Sequence, residues 1–131
     1  MQEGMTIGRL AKSVGEHVET IRYYQRRGLV EEPVKPPGGQ RRYSNSVVER
    51  IRFIRRAQQL GFSLEEVKRL LELSHGRSRR ETRLIAERKY KLLEARVEQL
   101  NDMRRQLQEL IAESKKSRTG PDPIIAALKN G

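Results

Sequence analysis

The sequence predicts a mainly helical chain, with a winged helix-turn-helix domain followed by one long helix that pairs with another helix. Three observations support this prediction. Two short amphipathic segments near the N-terminus flank a glycine turn, and a loop rich in proline, glycine and arginine follows them. Residues 79–116 contain neither glycine nor proline. We therefore divide the chain into residues 1–76, 77–117 and 118–131.

The charge of the chain points to a polyanionic partner. It holds 28 Lys and Arg against 17 Asp and Glu, a net charge of +11. Lysine and arginine bind phosphate backbones by releasing condensed counterions, so double-stranded nucleic acid is a natural partner. The alternative interpretation is a basic surface that is simply well solvated.

Several classes of protein are disfavoured by composition. The chain has no cysteine, which excludes disulfides, thiolate metal sites and cysteine nucleophiles. Neither a His/Asp constellation nor a phosphate-binding glycine loop is present, so we expect no enzyme. No apolar run approaches the ~20 residues that span a membrane, and the first ten residues contain no apolar signal region. We expect a cytoplasmic protein without membrane association.

The first two segments predict a helix-turn-helix. Thr6 is a suitable N-cap for the first helix, and Gly15 ends it. Its apolar positions recur at helical spacing, at Ile7, Leu10, Ala11 and Val14. The second helix covers residues 18–27, with Val18 and Ile21 inward, and Gly28 ends it in a left-handed conformation.

The second helix of this motif is the one that enters the major groove of DNA. Arg22 and Tyr23 are on its outer face, where they can meet phosphates and base edges. The candidate DNA-binding residues of this helix are Thr20, Arg22, Tyr23 and Arg26. Residues 1–76 are therefore predicted to be a DNA-binding domain.

A wing is predicted directly after this helix. Leu29 and Val30 start one short strand, and residues 40–43 return as the second. The turn between them is favoured by Pro33, Pro36, Pro37, Gly38 and Gly39. The candidate DNA-binding residues of the wing are Arg41, Arg42 and Tyr43. The alternative is a solvated loop with incidental charge.

A further helical pair is predicted after the wing. Ser44 and Ser46 are possible caps of a helix that runs to about Leu60, and Ser46 with Glu49 has the capping-box form. Its predicted core positions are Val47, Val48, Ile51, Ile54 and Ala57, and Arg52, Arg55 and Arg56 are candidates for flanking phosphates.

The next helix begins with both a capping box and a hydrophobic staple. Ser63 caps it, Glu66 reaches back to the cap, and Phe62 packs against Val67. Its predicted buried positions are Leu64, Val67, Leu70 and Leu71. The helix is expected to end near Gly76.

The longest helix, residues 79–116, carries an imperfect heptad seam. Leu93, Leu100 and Leu107 are seven residues apart. The positions between them are filled by Val97, Met103, Leu110 and Ile111. A single helix of about 50 Å cannot bury such a seam. We expect pairing with a second copy, parallel or antiparallel, and a C-terminal loop with a short apolar cap in residues 118–131.

These motifs resemble the MerR family of bacterial transcription regulators, and within it the mercury-responsive branch. The matching stretches are TIGRLAKSVG, VETIRYYQRRGLV, PPGGQRRYS, RIRFIRRAQQLGFSLEEVKRLL and PIIAAL. The resemblance implies a homodimer with an antiparallel coiled coil that binds a palindromic promoter spacer. It implies that the dimer distorts DNA so that RNA polymerase engages both promoter elements. It also implies that Arg22, Tyr23, Arg41 and Tyr43 contact DNA.

The sensing end departs from the family pattern. Mercury sensors bind the metal with three cysteines, and the corresponding positions here fall near Arg79, Ser114 and Asp122. We therefore expect an effector other than a thiolate-bound soft metal. Three alternatives stay open: a harder metal, an anion or small organic molecule, and no ligand. The candidate ligands for a harder metal are His75, Asp122, Glu81 and Glu113, and the candidate anion cluster is Arg77, Arg79, Arg80 and Arg83.

The cofactor, the operator and the resting state are left undetermined by the sequence. An architectural DNA-binding protein that does not switch transcription is the remaining functional alternative. Specific protection of a promoter spacer, rather than general binding to DNA, distinguishes the two.

Overall fold

The computed structural model describes residues 4–76 and 78–131, and within them it contains six α-helices. They are α1 (Ile7–Val14), α2 (Val18–Arg26), α3 (Asn45–Gln59), α4 (Leu64–Leu73), α5 (Arg79–Lys116) and α6 (Pro123–Asn130). The mainly helical fold class is confirmed. The chain divides into two compact units, one ending at Ile85 and the other comprising Ala86–Gly131.

Local capping signals determine where the helices of the first unit begin and end. The Thr6 hydroxyl accepts a hydrogen bond from the Arg9 amide, and Gly15 ends α1 in the left-handed conformation at φ 69°. At α4 the complete capping box forms, because the Ser63 hydroxyl accepts from the Glu66 amide and the Glu66 carboxylate accepts from the Ser63 amide. Both predicted caps are confirmed.

The core of the first unit is built from α1 to α4 and the segments beside them. Helix α1 packs on α2 and α3, and α3 packs on α4. The fully buried large side chains are Leu10, Ile21, Leu29, Tyr43, Ile51, Ile54 and Val67. The apolar positions predicted for α1 and α3 are buried or pack against this core. Tyr24, Leu29, Val30 and Tyr43 are additional core residues.

The predicted two-stranded wing is wrong for the described residues. Leu29 and Val30 are buried, and their amides donate to the Tyr24 carbonyl at the end of α2. The returning segment pairs instead with the start of the chain, through one antiparallel bridge between Met5 and Tyr43. The intervening prolines lack the amide hydrogens that a strand ladder needs, so the segment is a loop. We call residues 31–42 the basic loop.

Two further predictions about α3 are corrected. Ser44, not Ser46, is the N-cap residue, and its hydroxyl hydrogen-bonds to that of Ser46 at 2.6 Å instead of capping the helix. Arg55 does not reach outward for phosphate. Its guanidinium donates to the Val14 carbonyl at the end of α1 and pairs with Glu16 at 2.8 Å. It therefore joins α3 to the α1–α2 turn.

The second unit contains most of α5, the following loop and α6. Helix α5 has 38 residues and no buried side chain, so its apolar seam is exposed in the single chain. Asp122 is the N-cap of α6, and its carboxylate accepts from the Ile124 amide and from the Ser114 hydroxyl. These two hydrogen bonds lower the pKa of Asp122, the Ser114 bond contributing more. The end of α5 is thereby tied to the start of α6.

Candidate nucleic-acid interface

One face of helix α2 is buried in the core and hydrogen-bonded to α3. Ile21 is fully buried, and the Tyr24 ring is buried one turn further on. The Tyr24 hydroxyl donates to the Gln58 side-chain oxygen of α3 at 3.0 Å. Burial raises the pKa of Tyr24, and the nearby Glu16 carboxylate raises it further. The buried face fixes the rotation of α2, so its opposite face is presented to solvent in one orientation.

The outer face of α2 is cationic. Arg22 pairs with Glu19 one turn earlier at 2.9 Å, and both side chains are largely exposed. Tyr23 is 39% exposed, and the guanidinium carbons of Arg26 and Arg27 each lie 5.9 Å from its ring centroid. These cation–π contacts keep the two guanidinium groups beside the ring. The arrangement offers flat, multidentate donors suited to phosphate and base edges.

The basic loop is anchored to α2 through Tyr43. Tyr43 is only 2% exposed, and its hydroxyl accepts a hydrogen bond from the side-chain nitrogen (Nε2) of Gln25 at 2.6 Å. Tyr43, which we predicted to end the wing and to contact DNA, is therefore a core residue, and its contact with DNA stays a prediction. Gly4 is required at the bridge, because a Cβ there would lie 2.6 Å from the Tyr43 carbonyl oxygen.

Arg41 is held within the basic loop by an acidic neighbour. Its Nε donates to the Pro33 carbonyl at 3.0 Å and pairs with the Glu32 carboxylate at 2.9 Å. Both side chains of the pair are about half exposed, at 43% and 52%. Arg42 is exposed. A phosphate that binds Arg41 must therefore compete with Glu32.

A cleft of about 660 Å³ separates α1, α2 and the basic loop. Four of the predicted site residues line it, namely Arg22, Arg26, Arg41 and Tyr43. The other three, Thr20, Tyr23 and Arg42, are not among its lining residues, and Thr20 is half-buried in the first turn of α2. Lys35 and Gln40 also line the cleft but were not predicted as site residues. We call this feature the cationic cleft.

The charges around the cationic cleft favour an anion. Arg22, Arg26, Arg41 and Lys35 line it, and Glu32 is the acidic residue among its lining side chains. An excess of cations at a concave surface raises the local concentration of phosphate groups.

The candidate metal ligands are engaged elsewhere or isolated. Within residues 4–76 and 78–131, no three His, Cys, Asp or Glu side chains are grouped so that they could hold a metal ion. Glu81 is bound by the Arg69 guanidinium through both oxygens, at 2.8 and 2.7 Å, and these hydrogen bonds raise the pKa of Arg69. Arg77 of the candidate anion cluster lies outside the described residues.

The family of the chain follows from two model matches. Residues 5–74 match the model described as MerR HTH family regulatory protein, and residues 48–110 match the model described as MerR, DNA binding. The chain belongs to the MerR family. It is therefore a DNA-binding transcription regulator, and this family consists of regulators rather than enzymes. Among the described residues, no helix is long and apolar enough to cross a membrane.

Three proteins illustrate what this MerR-family chain is similar to. It is 44% identical to a mercuric resistance operon regulatory protein of Pseudomonas fluorescens, over 98% of this chain and 90% of that one. The lead-bound regulator PbrR691 of Ralstonia metallidurans has a TM-score of 0.81 and 28% identity, covering 95% of this chain and 98% of that one. The mercury-bound MerR of Bacillus megaterium has a TM-score of 0.72 and 30% identity, covering 95% and 99%.

Proposed function

We propose that the chain acts as a homodimer that binds a palindromic promoter spacer and distorts it, so that RNA polymerase can engage both promoter elements. The observation that carries this proposal is the cationic cleft, in which α2 and the basic loop present three arginines and a lysine side by side. A recognition helix next to a basic loop contacts a groove and the adjoining backbone together. Because the proposed ligand is promoter DNA, we propose that the protein acts in the cytoplasm.

The exposed seam of α5 supports dimer formation. Leu93, Val97, Leu100, Leu107 and Ile111 are 45% to 55% exposed in the single chain. An apolar stripe of this length is stabilised when a second helix covers it. Two copies related by a twofold axis carry two cationic clefts, and such an arrangement matches an inverted repeat in DNA.

The position of the cations supports the proposed distortion of the duplex. Each copy would hold the DNA with Arg22, Arg26 and Arg41, and the segment between the two clefts would remain uncontacted. A protein that grips both ends of a segment can bend or untwist its middle, at a cost that depends on the sequence. We propose that this deformation, rather than direct recruitment, is how the dimer acts on RNA polymerase.

The proposed effector is not a soft metal bound by thiolates. The chain contains no cysteine. The relatives named above include proteins bound to mercury(II) and lead(II), but Ser114 and Asp122 here satisfy each other by a hydrogen bond of 2.7 Å. Titration of the purified protein with Hg²⁺, followed by calorimetry, should give no stoichiometric binding. Micromolar affinity with one ion per dimer would contradict this part of the proposal.

The central test replaces Arg22 by alanine and measures affinity for a selected operator and for random DNA. If Arg22 makes a bidentate base contact, affinity for the operator should fall by about 1–3 kcal/mol, with a smaller fall on random DNA. Glu19→Gln is measured alongside, because Arg22→Ala also leaves the Glu19 carboxylate unpaired. Arg88→Ala, an exposed arginine of α5, is the control for the loss of one charge.

Equal losses for Arg22→Ala and Arg88→Ala would contradict the assignment of α2 as the recognition helix. Wild-type binding without any preference for the operator would instead favour an architectural protein.

A further inference from the structure

Between Leu93 and Ile111 the seam of α5 contains one charged residue. Seam positions alternate in steps of four and three along the helix: Leu93, Val97, Leu100, Arg104, Leu107 and Ile111. In heptad terms the leucines are at d, and Val97, Arg104 and Ile111 are at a. Arg104 therefore interrupts an otherwise apolar stripe near its middle. A polar residue at one a position fixes the register of a coiled coil, at a cost in stability.

Arg104 has no acidic neighbour on its own helix. The residues one turn away on either side are Leu100, Asn101, Leu107 and Gln108. Among the described residues, no side-chain hydrogen bond or ion pair involves Arg104. The adjacent Arg105, by contrast, pairs with Asp102 on the same helix. A guanidinium that enters an interface needs an acceptor there, and for Arg104 it must come from the second copy.

Only certain registers supply that acceptor. In an antiparallel pair, an a residue packs among four partner residues: one d residue, the e residue after it, and the a residues on either side. If Arg104 lies opposite Leu100 or Leu107, one of those four is Arg104 of the partner subunit, so like charges meet. Opposite Ala86, the set contains Glu87 but also Arg83, so a second cation shares that acceptor with Arg104. In the same register Glu94 and Arg96, along the flanks, each face their own copies.

The remaining register places Arg104 opposite Leu93. Its four neighbours are then Tyr90, Leu93, Glu94 and Val97 of the partner subunit, which are one carboxylate, three apolar or aromatic groups and no cation. We infer that α5 pairs in this register, with the Arg104 guanidinium on the Glu94 carboxylate of the partner subunit. Twofold symmetry forms the pair twice, and Val97 then lies opposite Leu100. The inference rests on the homodimer of the proposed function.

Neighbouring registers are one heptad apart. A slip of one heptad displaces the two helices by about 10 Å, at ~1.5 Å per residue. The Arg104–Glu94 pairs would therefore select one of several alignments of α5 that differ by about 10 Å.

Disulfide mapping tests the register directly, because the wild-type chain has no cysteine. Full-length Val97→Cys mixed with full-length Leu100→Cys should oxidise to a linked heterodimer, since residues of one core layer lie within disulfide distance. Asn101→Cys alone should remain largely unlinked. In the register that places Arg104 opposite Leu100, Asn101 would face its own copy. Efficient linking of Asn101→Cys would therefore overturn the inference.

Charge exchange tests the ion pair, with sedimentation as the readout. Arg104→Glu and Glu94→Arg should each raise the Kd of the dimer on the order of a hundredfold, because two pairs per dimer become like-charged. The double exchange should return Kd to within about tenfold of wild type. Arg105→Glu makes the same charge change one residue away and should leave Kd nearly unchanged. Failure of the double exchange to restore the dimer would overturn the pair.

The homodimer and the register can be refuted separately. A wild-type protein that sediments as a monomer at every concentration would refute the homodimer and the register together. A stable dimer that links through Asn101→Cys would refute the register alone.

Discussion

Replacement of Glu32 by glutamine should strengthen DNA binding. Glu32 holds Arg41 at 2.9 Å in the free protein, so DNA must displace it before Arg41 can bind a phosphate. An exposed ion pair of this kind is worth about 0.2–1 kcal/mol. Its removal therefore corresponds to about a 1.5- to 5-fold gain for each cleft. Because a dimer would use two clefts, the gain on an operator reaches about 25-fold at most.

The assay is fluorescence anisotropy of a labelled operator duplex over a range of salt concentrations. Each additional phosphate contact steepens the plot of log affinity against log salt by about 0.9. Glu31→Gln is the matched control, since Glu31 is exposed and precedes Glu32. Equal gains in the two variants would indicate a general charge effect and refute the competition. Weaker binding of Glu32→Gln would show that the pair positions Arg41 for DNA.

Three other predictions concern stability. Tyr24→Phe removes the hydrogen bond between α2 and α3 and should cost about 1 kcal/mol in urea unfolding at fixed protein concentration, whereas Tyr23→Phe should cost almost nothing. Ser63→Ala removes the α4 cap and should also cost about 1 kcal/mol; an unchanged unfolding midpoint would refute that role. In the folded protein the pKa of Asp122 lies below its ordinary value of 3.8. The Asp122 carboxylate therefore stabilises the start of α6 above pH 3.8, and this stabilisation is lost as the pH falls through the pKa of the folded state. Exchange of the Ile124 amide should therefore accelerate in acid, and Asp122→Ala should abolish that dependence.

The helices could be predicted from sequence because their signals are local. Thr6, Gly15 and Ser63 each act within one turn of the helix that they begin or end. The apolar spacing of α1 and α3 likewise identifies the face that is buried. These features depend on residues three or four positions apart, and a single sequence displays them directly.

The corrections fall where distant parts of the chain meet. Tyr43 pairs with Met5 and accepts a hydrogen bond from Gln25, so a tyrosine assigned to the second strand of the wing belongs to the core. Arg55 binds a carbonyl 41 residues away, although its position in a run of arginines favours an outward role. No pattern in the residues next to Tyr43 or Arg55 indicates these distant partners.

The candidate site likewise contains some residues that local sequence predicts and others that depend on distant contacts. Arg22 and Arg26 could be predicted because helical spacing places them outside the face that buries Ile21 and Tyr24. The contributions of Lys35 and Gln40, and the pairing of Arg41 with Glu32, depend on the path of the basic loop. Proline and glycine predict that such a loop turns, but its path is decided by what anchors it.

Binding of a dimer to an inverted repeat is tested by a footprint of the purified protein on a DNA sequence selected from a random pool, with the number of bound chains measured by sedimentation. We predict protection of an inverted repeat, symmetric about its centre, by two chains per duplex. Arg22→Ala should weaken both halves equally. Protection of one unsymmetric site by a single chain, or uniform protection without sequence preference, would contradict the account.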